Sequence, residues 1–86
     1  MLKEYTHICH GTCSQQVTIV YDDETHIIKK VQFVRGCNGN TQGVAKLCEG
    51  QTLENVRDTL LGIKCGPRST SCPNELALGI SEILEK

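Results

Sequence analysis

The hydrophobic pattern of this chain changes its period once, in the segment RGCNGN at residues 35–40. Before that segment, apolar and polar residues alternate over residues 15–21 and again over residues 26–34, which is typical of strands with one buried face. The polar sequence DDET between them predicts a turn, and therefore an antiparallel hairpin. Residues 5–8 predict a short third strand at the edge of the sheet.

After residues 35–40, apolar residues recur about every 3.6 positions, which predicts helices. A short helix around residues 44–48 is expected to stop at Gly50. A second helix begins with Thr52 as its N-cap candidate and ends near Gly62. The apolar stripe predicted for this second helix comprises Leu53, Val56, Leu60 and Ile63.

The segment CPNELALGISEIL at residues 72–84 carries the clearest helical pattern of the chain. Pro73 suits the first helical position, which makes Cys72 the predicted N-cap. The apolar face comprises Leu76, Ile80, Ile83 and Leu84. Strands followed by helices predict an α+β fold, in which a small antiparallel sheet of two or three strands precedes three helices packed on one face.

The length of 86 residues predicts one domain, residues 1–86, with a thin hydrophobic core. The chain has no Trp, one Phe and two Tyr, so Val, Ile and Leu must supply nearly all of the buried apolar surface. A domain of this kind gains from a cross-link, a bound cofactor or association with a second copy. We therefore expect that two copies of the chain can form a homodimer.

The charge pattern disfavours two classes of partner. The formal net charge is −1, and the basic residues are scattered without a stripe, so binding to nucleic acid is not expected. No segment is apolar for long enough to cross a bilayer, and the first residues lack the apolar core of an export signal. We therefore expect a cytoplasmic protein with no membrane contact.

Six cysteines in a chain of this length are the main functional signal. In the cytosol, such cysteine content indicates metal binding or thiol chemistry rather than a framework of disulfides. Cys13, Cys37, Cys65 and Cys72 each lie in or beside a Gly, Ser, Asn or Pro break between predicted elements. These four are the predicted metal ligands, because four thiolates make a closed site for zinc or an iron–sulfur cluster.

Cys37 and Cys72 each precede a predicted helix, whose positive end stabilises a thiolate. A lowered pKa of both thiols is therefore predicted. Cys48 falls on an apolar helical stripe and is predicted to be a small core residue. Cys9 lies between His7 and His10 without a strong zinc-binding spacing, and both histidines are expected to be exposed rather than ligands.

Two other functions remain open from the residues alone. Cys65 and Cys72 are separated by six residues and have a spacing that permits a redox-active disulfide. Alternatively, the turn RGCNGNTQGV precedes a helix and offers backbone N–H groups to the phosphate of a nucleotide or flavin. The residues of that predicted cofactor site are Cys37, Asn38, Gly39, Asn40 and Thr41.

The strings TSCPNELA, GCNGNTQGV and GIKCG, in their order along the chain, resemble the TSCPD domain family. The resemblance runs from about GTCSQQ to the C-terminus and departs from the family signature at Asn74, where the family has an acidic residue. It implies four shared cysteines, which match Cys13, Cys37, Cys65 and Cys72. Such domains occur alone and at the C-terminus of cobalamin-dependent ribonucleotide reductases.

Our hypothesis from the sequence is that the four cysteines hold the metal while the remaining surface docks a larger redox enzyme, so that the chain acts as an accessory module. This chain has no room for the reductase barrel, so it is not expected to be an autonomous reductase, and no catalytic residue is assigned. The order of GC, GQTLENV and a cysteine before the last helix also resembles the NifU-type iron–sulfur scaffold proteins. That second resemblance implies Cys37, Cys65 and Cys72 as ligands.

Overall fold

The computed structural model of the chain describes residues 1–9, 14–35, 38–64 and 70–85. Within these ranges the chain forms three strands followed by three helices, which confirms the predicted α+β arrangement. The strands are β1 (Leu2–Ile8), β2 (Ser14–Asp22) and β3 (Ile28–Arg35). The helices are α1 (Asn38–Cys48), α2 (Leu53–Leu60) and α3 (Cys72–Leu84).

The strands form an antiparallel sheet in the order β1-β2-β3, with β2 in the centre. The register places His7 opposite Val17 and Tyr5 opposite Ile19, so these four side chains share one face. Val17 and Ile19 are fully buried, and this face is the one that the helices cover. The predicted hairpin is confirmed, and β1 extends beyond the four-residue edge strand that the sequence predicted.

The helices bury the apolar stripes that their period predicted. Leu53 and Val56 of α2 are buried, and so are Leu76 and Ile80 of α3, all in one cluster with the inner face of the sheet. The prediction that Ile63 continues the α2 stripe was wrong, because α2 ends at Leu60. Ile63 lies beyond the helix with 42% of its surface exposed.

Helix ends follow the expected chemistry, with one correction. Thr52 caps α2 by accepting a hydrogen bond from the Asn55 N–H, as predicted. For α3, however, the N-cap is Ser71 and not Cys72. Ser71 has extended backbone and its hydroxyl accepts from the Asn74 N–H at 3.1 Å, which makes Cys72 the first helical residue.

None of the helices in the described ranges is both long enough and apolar enough to span a bilayer.

The close approach of α3 to β1 requires a glycine. A Cβ atom placed on Gly79 would lie 2.9 Å from the Cβ of His7, which is shorter than a van der Waals contact allows. The neighbouring atom belongs to the stem of a buried side chain and cannot move without shifting β1. Gly79 therefore sets the distance between α3 and the sheet at His7.

We predict that Gly79→Ala lowers the free energy of unfolding by about 1–3 kcal/mol, because the added methyl group overpacks this contact. Gly43→Ala is the matched control. Gly43 also lies inside a helix, but a Cβ there meets nothing within 4 Å. The better helix propensity of alanine should raise stability at that position by about 0.5–1 kcal/mol. Urea denaturation measures both changes, and equal stabilisation by the two substitutions would contradict the close contact.

Candidate functional site

The candidate site lies at the end of the molecule where α3 begins. Of the four predicted ligands, Cys72 is described, whereas Cys13, Cys37 and Cys65 lie outside the described residues. Cys72 is the first residue of α3 and has 5% of its surface exposed. Cys9, which follows β1, is buried as well, and Cys72 is near enough to raise the pKa of the Cys9 thiol.

Described residues that adjoin Cys13 and Cys37 are paired with each other. Ser14 directly follows Cys13 in the chain, and Arg35 precedes Cys37 by two residues. Ser14 and Arg35 are register partners at one end of the β2–β3 ladder. The Cys9 N–H donates to the Gln15 carbonyl at 3.0 Å, so the end of β1 meets the same end of the sheet.

The chain segment before Cys65 is attached to the start of α3. The Ser71 hydroxyl donates to the Ile63 carbonyl at 2.6 Å. The Gly62 N–H donates to the Asn74 side-chain oxygen at 2.7 Å. These two bonds bring the end of the α2 connection, two residues before Cys65, to the residues that flank Cys72.

The N-terminus of α3 lies at Cys72 and is fixed by a cap. A helix N-terminus carries unpaired N–H groups and the positive end of the helix dipole. The Ser71 cap fixes this turn, since its carbonyl also accepts from the Glu75 N–H at 2.8 Å. Cys72 is the first helical residue of this turn and is buried.

A buried polar network supports the same turn from inside. Glu75 is buried, with 4% of its surface exposed. The Oε1 of its side chain lies 3.1 Å from the Nε2 of His7. Its Oε2 accepts from the Thr70 hydroxyl at 2.7 Å. The Asn74 amide in turn donates to the Thr70 oxygen at 2.7 Å. The residues on both sides of Cys72 are therefore linked by hydrogen bonds.

His7 contacts a second carboxylate further along α3. Its Nδ1 lies 2.9 Å from the Oε2 of Glu82, whose Oε1 accepts from the Tyr5 hydroxyl at 2.6 Å. The hydrogen bond to Glu82 is the main reason that the pKa of Tyr5 is raised, with desolvation and the charge of Glu82 adding to it. One histidine thus joins β1 to two successive glutamates of α3.

The prediction that His7 is exposed was wrong, because His7 lies on the face of the sheet that α3 covers, with 9% of its surface exposed. The alternation of Tyr5 and His7 was a signal for this placement. The spacing of Glu75 and Glu82 was another, since residues seven apart lie on one helix face. His10 lies outside the described residues.

The two described cysteines outside the predicted ligand set are buried free thiols. Burial raises the pKa of Cys9 to about 12, and the charges of Glu75 and Cys72 contribute further. Burial alone raises the pKa of Cys48 to about 11. Cys48 belongs to the hydrophobic core, as predicted.

The predicted phosphate-binding segment forms the beginning of α1. Asn38, Gly39, Asn40 and Thr41 are its first four residues, and Thr41 is buried. Cys37 lies outside the described residues. Within those residues, no group of three or more His, Cys, Asp or Glu is placed to hold a metal ion. Because three of the four predicted ligands lie outside the described residues, both site predictions remain predictions.

We predict that Cys9 and Cys48 resist alkylation by iodoacetamide in the native protein at pH 8. Relative to a thiol with the ordinary pKa of 9.0, their pKa values of about 12 and 11 reduce the thiolate fraction roughly a thousandfold and a hundredfold. Peptide mass spectrometry after timed labelling measures both sites. The same protein in urea is the control, and labelling of the native thiols at the denatured rate would contradict their burial.

Comparison with known proteins is consistent with the signature strings. The model of the TSCPD domain matches residues 2–84, and so includes β1 and His7 as well as the cysteine segments. No curated protein and no solved structure gives a significant match to the chain. On the match over nearly its whole length, the chain belongs to the TSCPD domain family.

Proposed function

We propose that this chain is a small metal-binding module in which Cys13, Cys37, Cys65 and Cys72 together hold zinc or an iron–sulfur centre. The observation that carries the proposal is the common location of the described residues around these four cysteines. Next to Cys13 and near Cys37 lie Ser14 and Arg35, which are paired in the sheet. Near Cys65 and next to Cys72 lie Ile63 and Ser71, which are joined by a hydrogen bond. Cys9 connects the two groups through its bond to Gln15 and its proximity to Cys72.

Chain connectivity makes convergence of the four thiols feasible. Each of the three cysteines outside the described residues is directly followed or preceded in the chain by a described one, namely Ser14, Asn38 and Lys64. A tetrahedral site needs its sulfurs about 2.3 Å from the metal. The end of the sheet, the start of α1, and the start of α3 with the segment bonded to it therefore supply the described neighbours of all four proposed ligands.

The chemistry of the described cysteines supports a division of roles. Cys72 lies at a helix N-terminus that favours a thiolate, and a thiolate is the form that binds zinc or iron. Cys9 has a pKa of about 12 and stays a neutral thiol at physiological pH. We propose Cys72 as a ligand because of its position at the helix start, and Cys9, which belongs to the hydrophobic core, as a packing neighbour of the site.

The proposed biological role is that of an accessory module. Related domains occur at the C-terminus of ribonucleotide reductases. By analogy, we propose that this chain is the partner of a larger redox enzyme. The outer face of the sheet is open to such a partner or to a second copy, since Leu2 and Ile8 are exposed there. We propose that the protein acts in the cytoplasm.

A redox pair of Cys65 and Cys72 is the second candidate function. It is favoured by one observation, the bond from Ser71 to the Ile63 carbonyl, which joins the two ends of the connecting segment. A dithiol in this segment is expected to lose two reactive thiols on mild oxidation. Thiol counts in reducing and oxidising buffers separate this function from metal binding.

We predict that the protein purified without oxygen contains about one equivalent of zinc, or the iron of one cluster, and that Cys72→Ser reduces this content below about a tenth of an equivalent. Elemental analysis of the purified protein measures both. Cys48→Ser is the matched control, because Cys48 is equally buried but lies at the far end of α1. It should lower stability while leaving the metal content unchanged.

Wild-type protein with less than about a tenth of an equivalent of either metal would reject the proposal. Equal loss of metal in the Cys72→Ser and Cys48→Ser variants would show that the loss follows from instability rather than from a missing ligand.

A further inference from the structure

Both ring nitrogens of the buried His7 face carboxylate oxygens of α3. Nε2 lies 3.1 Å from Glu75 Oε1, and Nδ1 lies 2.9 Å from Glu82 Oε2. The side chains of His7 and Glu75 are 10% and 5% exposed, so water has little access to the contact between them. At these distances, each nitrogen–oxygen contact requires one proton between the two atoms.

The second oxygen of each glutamate already accepts a hydroxyl proton. Thr70 donates to Oε2 of Glu75, and Tyr5 donates to Oε1 of Glu82. The hydroxyl protons are therefore directed at these second oxygens. The protons in the two contacts with His7 must therefore be bound to His7 or to the two glutamates.

A neutral imidazole with two ionised carboxylates provides only one proton for these two contacts. A lone pair on one ring nitrogen would then face a carboxylate oxygen. The Glu82 side chain is 42% exposed, but both ring nitrogens belong to the buried His7, and an unsatisfied nitrogen in a buried side chain is costly. Two protons satisfy both contacts, either as an imidazolium between two carboxylates or as a neutral imidazole beside one carboxylic acid. In both forms the three groups carry one net negative charge.

We propose that His7, Glu75 and Glu82 share two protons in this way and act as positioning residues for the cysteine site. This inference rests on the proposed function, because the residue that they position is the proposed ligand Cys72. We refer to the three residues as the His7 clamp. The clamp attaches the first turn of α3 to β1.

The path from the clamp to Cys72 is short and continuous. Glu75 accepts from Thr70, and Thr70 accepts from Asn74, so residues before and after Cys72 are joined to the same carboxylate. Asn74 also accepts the Gly62 N–H, which extends the network to the segment that leads to Cys65. A change at Glu75 therefore loosens both sides of Cys72.

The surroundings of His7 fix the ring in place. Gly79 of α3 packs against its Cβ, and Val17 is its apolar neighbour on β2. The titratable groups of the described residues around the clamp are Tyr5 and Cys9 from the β1 segment and Cys72, Glu75 and Glu82 from α3. Tyr5 and Cys9 both have raised pKa values and stay neutral at pH 7.

The proton count is tested without any metal, by NMR of protein labelled with ¹⁵N and ¹³C at pH 7. The expected result is two protons among the three side chains. They appear either as N–H signals at both ring nitrogens or as one N–H signal together with one protonated glutamate. A single ring proton with both glutamates ionised would overturn the inference.

Glu75→Gln provides a matched test of the mechanism. Its amide oxygen can accept from Thr70, and its NH₂ group can donate to a neutral His7, whose remaining proton then goes to Glu82. This variant should hold only one proton on the imidazole and keep the geometry. Glu75→Ala removes the contact altogether.

The positioning role is measured by amide hydrogen exchange and by metal affinity. In Glu75→Ala, exchange of the Asn74 amide relative to that of Ile80 should rise about tenfold, because the first turn of α3 opens locally. The affinity for added Co²⁺ should fall about tenfold or more. Glu75→Gln should restore both properties to near the wild-type values.

Glu54→Gln is the control, since Glu54 pairs with His26 in a partly exposed contact between the β2–β3 turn and α2. It should change neither the Asn74 exchange ratio nor the Co²⁺ affinity. If the wild-type protein binds no Co²⁺ and contains neither zinc nor iron when purified, the proposed function fails, while the proton count and the exchange ratio still decide the clamp. An unchanged exchange ratio in Glu75→Ala overturns the positioning role. If Glu75→Ala does not fold, the Glu75→Gln variant decides instead. An imidazole of His7 that carries protons on both nitrogens in Glu75→Gln overturns the clamp.

Discussion

The contact of His7 with two glutamates of α3 holds the last helix on the edge strand of the sheet. Edge strands of a three-stranded sheet have few partners, and β1 is paired on one side only. The contacts of His7 with the buried Glu75 and the partly exposed Glu82 give it a second set of attachments. Because Gly79 lets the helix approach His7 closely, packing and hydrogen bonding reinforce each other at this point.

The signature TSCPNE acquires a physical meaning from this arrangement. Thr70, Ser71, Asn74 and Glu75 all have side-chain hydrogen bonds that fix the start of α3. Asn74 accepts from Gly62 and donates to Thr70, whereas the acidic residue usual in the family has no proton to donate when ionised. The Asn74 amide thus leaves the Thr70 hydroxyl proton directed at Glu75.

The sequence predicted the elements well because periodicity reports which face of a strand or helix is buried. The alternation through Val17 and Ile19, and the spacing of Leu76 and Ile80, both correspond to fully buried side chains. The buried His7 was missed because a polar residue in a strand is assigned to solvent unless its partners are known. Those partners, Glu75 and Glu82, are 68 and 75 residues away in the chain, and their spacing indicates a shared helix face without showing which strand that face covers. The α3 cap was misplaced by one residue because both Ser71 and Cys72 are compatible with a following proline.

The central claim is that four separated cysteines meet at the end of the sheet where α3 begins. A crystal structure of the protein purified without oxygen, with an anomalous scan at the zinc and iron edges, tests it most directly. The account predicts one metal centre whose ligands are the sulfurs of Cys13, Cys37, Cys65 and Cys72, each about 2.3 Å from the metal. A structure in which any of these sulfurs lies more than about 8 Å from the other three would contradict it, because four ligands of one tetrahedral ion cannot be so far apart.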